Sequence, residues 1–409
     1  TMEVGDCIVI DAGSASVKAG YSGEDTPRSV FPSILDEGGA EALSGLARSG
    51  GRRPESVECH FENAAQHPIQ HGLVAEGNWE KMERLWDVTF GRELHQYPEG
   101  SSASGGAHGG LSVLLAEAPG TPAAARERAA QIMFETFKVP ALCFFNSASL
   151  SLFASGRTRG VVLESGAGVS HAVPVFEGFA LAHAVLRSEL AGQDVTSALA
   201  ANLRRTGSTL GFNVVRDMKE KLCRAQPLAQ PGTPAAPGPD GAAAPPPPAD
   251  GKAAPSPGGA FADVEYELPD GTMVKVAGAW RGAAPQVLFG GRADQLALPQ
   301  LVAQSIGMCD RDFQPDLRGA VVLAGGTTML PGFCDRMKAE LSAILPEGHL
   351  RVVPGPNPTG TAERGYNSQR KFAAWIGGSM FASLETFKQV RIMKQEWEDD
   401  ESIIHRKSF

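Results

Sequence analysis

The sequence predicts an α/β protein made of two related halves that face each other across a cleft. Three observations point there. Three short apolar runs each end in a glycine turn and read as buried strands: Cys7-Ile8-Val9-Ile10 into Asp11-Ala12-Gly13-Ser14, Val161-Val162-Leu163 into Glu164-Ser165-Gly166-Ala167-Gly168, and Ala320-Val321-Val322-Leu323 into Ala324-Gly325-Gly326-Thr327-Thr328. Helical patterns separate these runs, the alternation of an α/β architecture. The 409 residues exceed what a single hydrophobic core organises, so two large lobes are expected.

Along the chain, the first run ends on Asp11, and the glycine after it lets backbone N–H groups approach a phosphate closely. Asn78 to Phe90 then carries Trp79, Met82, Leu85 and Trp86 at helical spacing, with the tryptophans read as core packing. Glu99 to Gly110 is a Gly/Ser run and reads as a flexible surface loop. Arg126 to Phe137 follows Pro122 and carries Ile132, Met133 and Phe137 on a second helix. The middle run repeats the grammar of the first, with Glu164 as its acidic residue. Two such turns, opposed, define a ligand cleft between the halves. Ala225 to Gly259 is rich in Pro, Ala and Gly and includes Pro245-Pro246-Pro247-Pro248. It buries too little apolar surface to offset the entropy of ordering and reads as a disordered insert. The proline tetrad offers a docking segment, although a tolerated loop expansion is the plainer reading. Pro354 to Gln369 reads as a further irregular insertion.

Composition excludes several function classes. A formal net charge of -9 argues against a general nucleic-acid binder, and a hydrophobic fraction of 42% is ample for a core. No apolar run reaches the length of a membrane span and no leader opens the chain, so a soluble protein with no membrane or nucleic-acid partner is expected. Cys7, Cys59, Cys143, Cys223, Cys309 and Cys334 are scattered, which suits a reducing compartment. His60, His67 and His71 lie near Cys59, yet their spacing matches no metal-ligand template.

The run Asp11-Ala12-Gly13-Ser14-Ala15-Ser16-Val17-Lys18-Ala19-Gly20 resembles the first phosphate loop of actin, and Pro27-Arg28-Ser29-Val30-Phe31-Pro32-Ser33 follows it as in actin. Colinear matches continue through Gln131-Ile132-Met133-Phe134-Glu135-Thr136-Phe137, Arg216-Asp217-Met218-Lys219-Glu220-Lys221-Leu222-Cys223, Gly325-Gly326-Thr327-Thr328-Met329 and Trp375-Ile376-Gly377-Gly378-Ser379. The chain ends in Ile404-His405-Arg406-Lys407-Ser408-Phe409, again actin-like. Sugar kinases and chaperone ATPases of the same superfamily share the strand-turn grammar but not these runs. The resemblance fails only in the inserts and in Leu35 to Ala65.

The resemblance implies an actin-like two-lobe fold of four subdomains, with ATP or ADP and Mg²⁺ or Ca²⁺ in the central cleft. Residues 1–32, 72–153 and 373–409 would form the first subdomain, 33–71 the second, 154–190 and 294–372 the third, and 191–293 the fourth. The first phosphate loop would use Gly13, Ser14 and Lys18, the second the backbone of Gly166, Gly168 and Val169. Lys219 and Glu220 would flank adenine and ribose, with Gly192 nearby. Gly326, Thr327 and Met329 would complete the purine pocket beside Lys371, with Leu330 where actin usually has tyrosine. Asp11 and Glu164 would hold the cation, and Asp11 and His171 are the retained catalytic positions. His71 aligns with the histidine methylated in many actins.

Three positions depart from the family's hydrolytic centre. Ser147 stands at the water-positioning glutamine and is too short to reach the same water, although neighbouring Asn146 offers a partial substitute. Glu164 replaces an aspartate and is one methylene longer, which disturbs an octahedral magnesium shell. Ala167 removes a second carboxylate. Hydrolysis is therefore expected to be very slow or absent, while nucleotide persists as a structural clamp.

The family's lower cleft maps to Phe153, Ala154, Gly156, Thr158, Phe381, Leu384 and Thr386 and stays apolar, fit for actin or actin-like subunits and actin-binding proteins. The opposite loop, Asp36 to Pro54, and the plug region Phe289-Gly290-Gly291-Arg292-Ala293-Asp294 have changed. Since head-to-tail polymers need both complementary ends, the expectation is a cytoplasmic, cytoskeletal subunit or cap that assembles poorly alone. The alternative is a divergent actin that polymerises and hydrolyses ATP.

Overall fold

Four consecutive residues, Cys7 to Ile10, are buried on both faces, the signature of a central strand. In the computed structural model, which describes residues 5–34, 67–96, 110–228, 261–346, 348–355, 358 and 361–407, that strand is Cys7–Ala12. It pairs antiparallel with Ser16–Tyr21 and parallel with Ser112–Glu117. Ser29–Pro32 extends the sheet on one side, Ala141–Asn146 and Ile392–Met393 on the other.

The second sheet repeats the plan. Gly160–Ser165 pairs antiparallel with Ser170–Phe176 and parallel with Val321–Ala324. Phe179–Ala180 and Leu186–Ser188 add to Ser170–Phe176, and Val352–Val353 adds to Val321–Ala324. All three apolar runs of the sequence are thus strands flanked on both sides. The glycine-turn hairpin is one backbone device used twice.

Each sheet has its own core. Ile8, Ile10, Met82, Trp86 and Phe134 pack in the first, and Leu163, Val195, Leu199, Met218 and Phe333 in the second. Fully burying one such side chain contributes about 1.5–3 kcal/mol. Two helices, Ser147–Ala154 and Ala373–Ala382, lie between the sheets. Ala148 and Leu152 pack with Val162 and Val322 of the second sheet, while Leu150 and Trp375 pack with Val9 and Leu114 of the first. The indole N–H of Trp375 donates to the Val9 carbonyl oxygen at 3.0 Å, tying its helix to the first central strand. A Cβ at Gly377 would collide with the Leu150 carbonyl oxygen, so these helices cross only because that position is glycine.

The helix expected over Asn78 to Phe90 is Trp79–Asp87, burying Met82, Leu85 and Trp86 and running on as a π-helical turn, Val88–Glu93. The helix expected from Arg126 starts earlier, directly after Pro122, as Ala123–Gln131 followed by the π-helical turn Ile132–Thr136. Two expectations are corrected. Pro354 to Gln369 is not wholly irregular, because Thr361–Gln369 is a helix anchored by Tyr366, whose hydroxyl donates to the Leu323 carbonyl oxygen at 3.0 Å. The proline- and glycine-rich lead-in hides a periodicity that begins only after it. Nor does disorder begin at Ala225: Ala225 is buried and its N–H donates to the Pro331 carbonyl oxygen at 2.8 Å. Arg336 donates to the Gln226 carbonyl oxygen at 2.9 Å.

The remaining insert with its proline tetrad, Glu99 to 109 of the Gly/Ser run, and Asp36 to Pro54 with Cys59 and His60 lie outside the described residues. No helix of the described residues is long and apolar enough to cross a membrane.

Candidate functional site

A cavity of about 600 Å³ opens between the two hairpins, a size typical of small-molecule sites. Its walls include every position that the sequence assigned to nucleotide, cation or chemistry: Asp11, Gly13, Ser14, Lys18, Ser147, Glu164, Gly166, Ala167, Gly168, Val169, His171, Gly192, Lys219, Glu220, Gly326, Thr327, Met329 and Lys371.

In the first hairpin Asp11 and Lys18 are direct cross-strand neighbours. The Lys18 ammonium lies 3.1 Å from the Asp11 carboxylate and donates to the Ser16 carbonyl oxygen at 3.2 Å, which holds its charge over the turn. The Ser14 hydroxyl accepts from the Gly72 N–H at 2.9 Å. Beside it, the Nδ1–H of His71 donates to the Gly168 carbonyl oxygen at 2.8 Å, so one loop fastens the two turns together. A Cβ built on Gly168 would sit 3.0 Å from Ser14 Oγ and 3.2 Å from the His71 nitrogen. Any larger residue would push the turns apart.

In the second hairpin Glu164 faces His171. The Ser147 hydroxyl, on the first residue of the helix Ser147–Ala154, donates to Glu164 Oε2 at 2.7 Å. Two positions that departed from the family pattern therefore touch. The Asn146 side-chain oxygen caps the helix, accepting from the N–H groups of Ala148 and Ser149 at 3.0 and 3.3 Å, so it is engaged away from the glutamine position. Burial pushes the Glu164 carboxyl up to about 7, against the pull of the Ser147 hydrogen bond, with Asp11 pushing further and Lys18 opposing. Burial, helped by the positive charge of Arg187, lowers His171 to about 4 and keeps it neutral. Its Nε2 has no hydrogen-bond partner among the described residues. Ala167 adds no polar side chain to the wall.

The far wall is tied to the second turn. Thr327 donates to the Gly166 carbonyl oxygen at 2.6 Å, and buried Lys219 donates to the Gly192 carbonyl oxygen at 3.2 Å. Burial lowers the Lys219 pKa, with Glu220 partly opposing. Gly325 has φ of 87°, a conformation that needs glycine. Exposed Lys371 lies 4.6 Å from the centre of the Phe372 ring. Two charged lining residues, Arg216 and Arg370, were not assigned to the site from the sequence. Arg370 is buried and donates to the Thr328 hydroxyl at 3.0 Å and the Thr328 carbonyl oxygen at 2.6 Å, bracing the 325–329 turn.

The cradle fits an anionic ligand: glycine turns for close backbone approach, with Lys18 and Lys219 for charge. A cation has thinner support. Asp11 and Glu164 line the cavity, and the described residues hold no group of three candidate ligands. Mg²⁺ is commonly held by one or two carboxylates plus phosphate oxygens and water, so this donor pair suits a cation that the ligand itself helps to hold.

The helix that begins at Ser147 carries the expected partner groove at its other end. Phe153 and Phe381 stack, half-buried, at 6.3 Å with 14° between their planes, and Phe145 packs 4.5 Å from Phe381. Ala154 is half-buried, and Gly156, Thr158, Leu384 and Thr386 are exposed around them. A comparison with protein-family models finds one described as Actin that matches residues 2–409.

Proposed function

The chain belongs to the actin family, and from that premise we propose that it clamps ATP or ADP between its two lobes and turns the nucleotide over far more slowly than an ordinary actin. The observation that carries the reading is the convergence of both glycine turns, Lys18 and Lys219 on one cavity. In this reading the backbone of Gly13, Ser14, Gly166, Gly168 and Val169 cradles the phosphates, and Lys18 supplies a point charge. Lys219, Glu220, Gly192, Thr327, Met329 and Lys371 border the nucleoside. Asp11 and Glu164 share in holding Mg²⁺ or Ca²⁺, which neutralises phosphate charge when bound. Slow turnover is supported by Ala167 and by Ser147, whose hydroxyl is engaged with Glu164. Losing one water-positioning group typically costs about a hundredfold or more in rate.

As an actin-like protein the chain is proposed to meet actin, actin-like subunits or their binding proteins through the groove around Phe153 and Phe381. It would serve as a subunit or cap of a filament or larger cytoskeletal complex. A second reading, a divergent actin that polymerises and hydrolyses ATP, is favoured by one observation, the unpaired Nε2 of His171 at the cavity wall.

Calorimetric titration with ATP and ADP in the presence of Mg²⁺ is expected to show binding; a flat titration removes the clamp. Phosphate release over hours is expected to be slow, and turnover at ordinary actin rates supports the second reading. Sedimentation in polymerising salt is expected to leave the pure protein in solution, whereas abundant filaments in the pellet reject the subunit-or-cap role.

A further inference from the structure

Resting on the nucleotide reading above, we propose that Tyr366 and Arg370 are positioning residues for the nucleoside end of the cleft. Through them the helix Thr361–Gln369 holds the 325–329 turn in place, so that the grip on adenosine depends on this helix and the grip on the phosphates does not.

The turn needs support from outside. Gly325, Gly326, Thr327 and Met329 border the cavity, and the strand Val321–Ala324 leads into them. On one side that strand loses its partner early: its ladder with Val352–Val353 pairs Val321 with Val352 and Val322 with Val353 and goes no further. The carbonyl oxygen of the next residue, Leu323, is taken up instead by the Tyr366 hydroxyl at 3.0 Å. Tyr366 is 8% exposed and is not among the residues that border the cavity, so it acts on the wall from behind. A buried carbonyl that loses its donor carries the full cost of its lost hydration.

Arg370, just past the end of the helix, closes the turn at both ends. Its backbone carbonyl oxygen accepts from the Gly325 N–H at 3.1 Å. Its guanidinium donates to the hydroxyl and the carbonyl oxygen of Thr328, and the same hydroxyl donates on to the Gly325 carbonyl oxygen at 2.8 Å. Thr327 and Met329, on either side of Thr328, are the side chains offered to the cavity. The helix in turn aims the guanidinium, because the Asn367 carbonyl oxygen accepts from it at 2.7 Å. The start of the helix is held by Glu363, whose carboxylate accepts from the Gly355 N–H at 2.6 Å and from Arg351 at 3.3 Å. A planar fork can serve three oxygens at once in fixed directions, which an ammonium on a flexible stem cannot.

The phosphate turns lie outside this chain of contacts. Among the described residues neither Tyr366 nor Arg370 hydrogen-bonds to the 11–18 or 164–171 hairpin, and the 325–329 turn reaches the second hairpin through the side-chain bond from Thr327 to the Gly166 carbonyl oxygen. Loosening the brace therefore acts on the nucleoside wall first.

The test uses Y366F and R370K in the full chain. Y366F removes only the hydroxyl, and R370K keeps the charge while losing the fork. Calorimetric titration of the parent with ATP and with inorganic tripolyphosphate, both with Mg²⁺, comes first, and ATP is expected to bind more tightly. A parent that binds neither removes the nucleotide reading and this brace with it, whereas a parent that binds both equally keeps a phosphate site and overturns the brace alone. Affinity for ATP is expected to fall about threefold in Y366F and about tenfold in R370K, with tripolyphosphate changed less than about twofold in either. In nucleotide-free protein, amide hydrogen exchange across 325–330 is expected to quicken by similar factors while exchange across 11–18 stays at the parent's rate. Should R370K not fold, Y366F decides by the same readouts.

An R370K that binds ATP as the parent does would show that charge, and not aim, is what position 370 supplies. Equal losses for ATP and tripolyphosphate would assign both residues a general structural role. A loss of ATP affinity with exchange across 325–330 unmoved would break the link through the turn. Each of these overturns the proposal and leaves the clamp standing, because the parent titration is unaffected.

Discussion

In the first hairpin Asp11 faces Lys18, and in the second Glu164 faces His171; each basic residue stands seven positions after its acidic partner. In the first the cross-strand pair closes on itself, ammonium against carboxylate at 3.1 Å. In the second it does not: Glu164 takes its hydrogen bond from Ser147 on a neighbouring helix, and His171 Nε2 has no partner among the described residues. Burial holds both members of the second pair near neutrality, raising the acid and lowering the base. One backbone plan thus presents a fixed charge pair on one side of the cleft and, on the other, a neutral histidine facing an acid that titrates near 7. In the proposed function the first side would hold the phosphates, and the second would carry whatever turnover remains.

The largest way to break this comparison is Lys18→Ala. It removes the charge held over the first turn and leaves Asp11, which is only 16% exposed, facing an incoming phosphate without its partner. Breaking such a pair costs about 3–5 kcal/mol when fully buried, and somewhat less here at the cleft wall. Affinity for ATP is expected to fall about a hundredfold or more in a calorimetric titration. A loss below about fivefold would mean that the first hairpin does not hold the phosphates.

A second effect sharpens the contrast through pH. Glu164 has its pKa raised from 4.5 to about 7, so the stability it contributes is complete below about 4.5 and is lost as pH rises through about 7. His171 has its pKa lowered from 6.5 to about 4, so its contribution is complete above about 6.5 and is lost as pH falls through about 4. Between those limits the two slopes oppose each other and nearly cancel. Glu164→Gln is expected to uncover the histidine, with stability falling as pH drops from about 6.5 to 4. His171→Gln is expected to uncover the carboxyl, with stability falling as pH climbs from about 4.5 to 7. Each span is on the order of 3 kcal/mol or less, followed by chemical denaturation of nucleotide-free protein across pH. Variants whose pH curves run parallel to the parent's would show that both groups are solvated in the folded chain.

Much of this was legible in the sequence. The strands Cys7–Ala12, Gly160–Ser165 and Val321–Ala324 are central because their apolar runs have no polar face to turn outward, and such runs read the same in any context. The cavity residues followed from motifs whose order along the chain survived. What did not read was anything set by a distant partner. Ser147 and Glu164 were each interpreted as losses because they lie 17 positions apart, and only the fold brings them to 2.7 Å. Arg370 carries no signal in the sequence, because its role depends on the 325–329 turn that folds around it. The acid-to-base spacing shared by the two hairpins was present in the sequence, but its meaning depends on register, which the turn fixes and composition does not.

The smallest predicted effect tests why only the second hairpin is served by a helix. Asn146 ends the strand Ala141–Asn146 and caps the helix that begins at Ser147, accepting from the Ala148 and Ser149 N–H groups. The cap fixes the first turn of that helix, and with it the direction of the Ser147 hydroxyl toward Glu164. Asn146→Ala is expected to destabilise the chain by about 1 kcal/mol, the usual cost of losing an N-cap, seen as a fall in Tm of about 1 °C for a chain of this size. Asn146→Asp keeps the acceptor and is expected to recover most of that loss. The first hairpin shares no atom with this cap, so ATP affinity in Asn146→Ala is expected to stay at the parent's value. A loss of affinity alongside the loss of stability would mean that the helix supports both hairpins alike, and that the asymmetry between them lies in their own side chains alone.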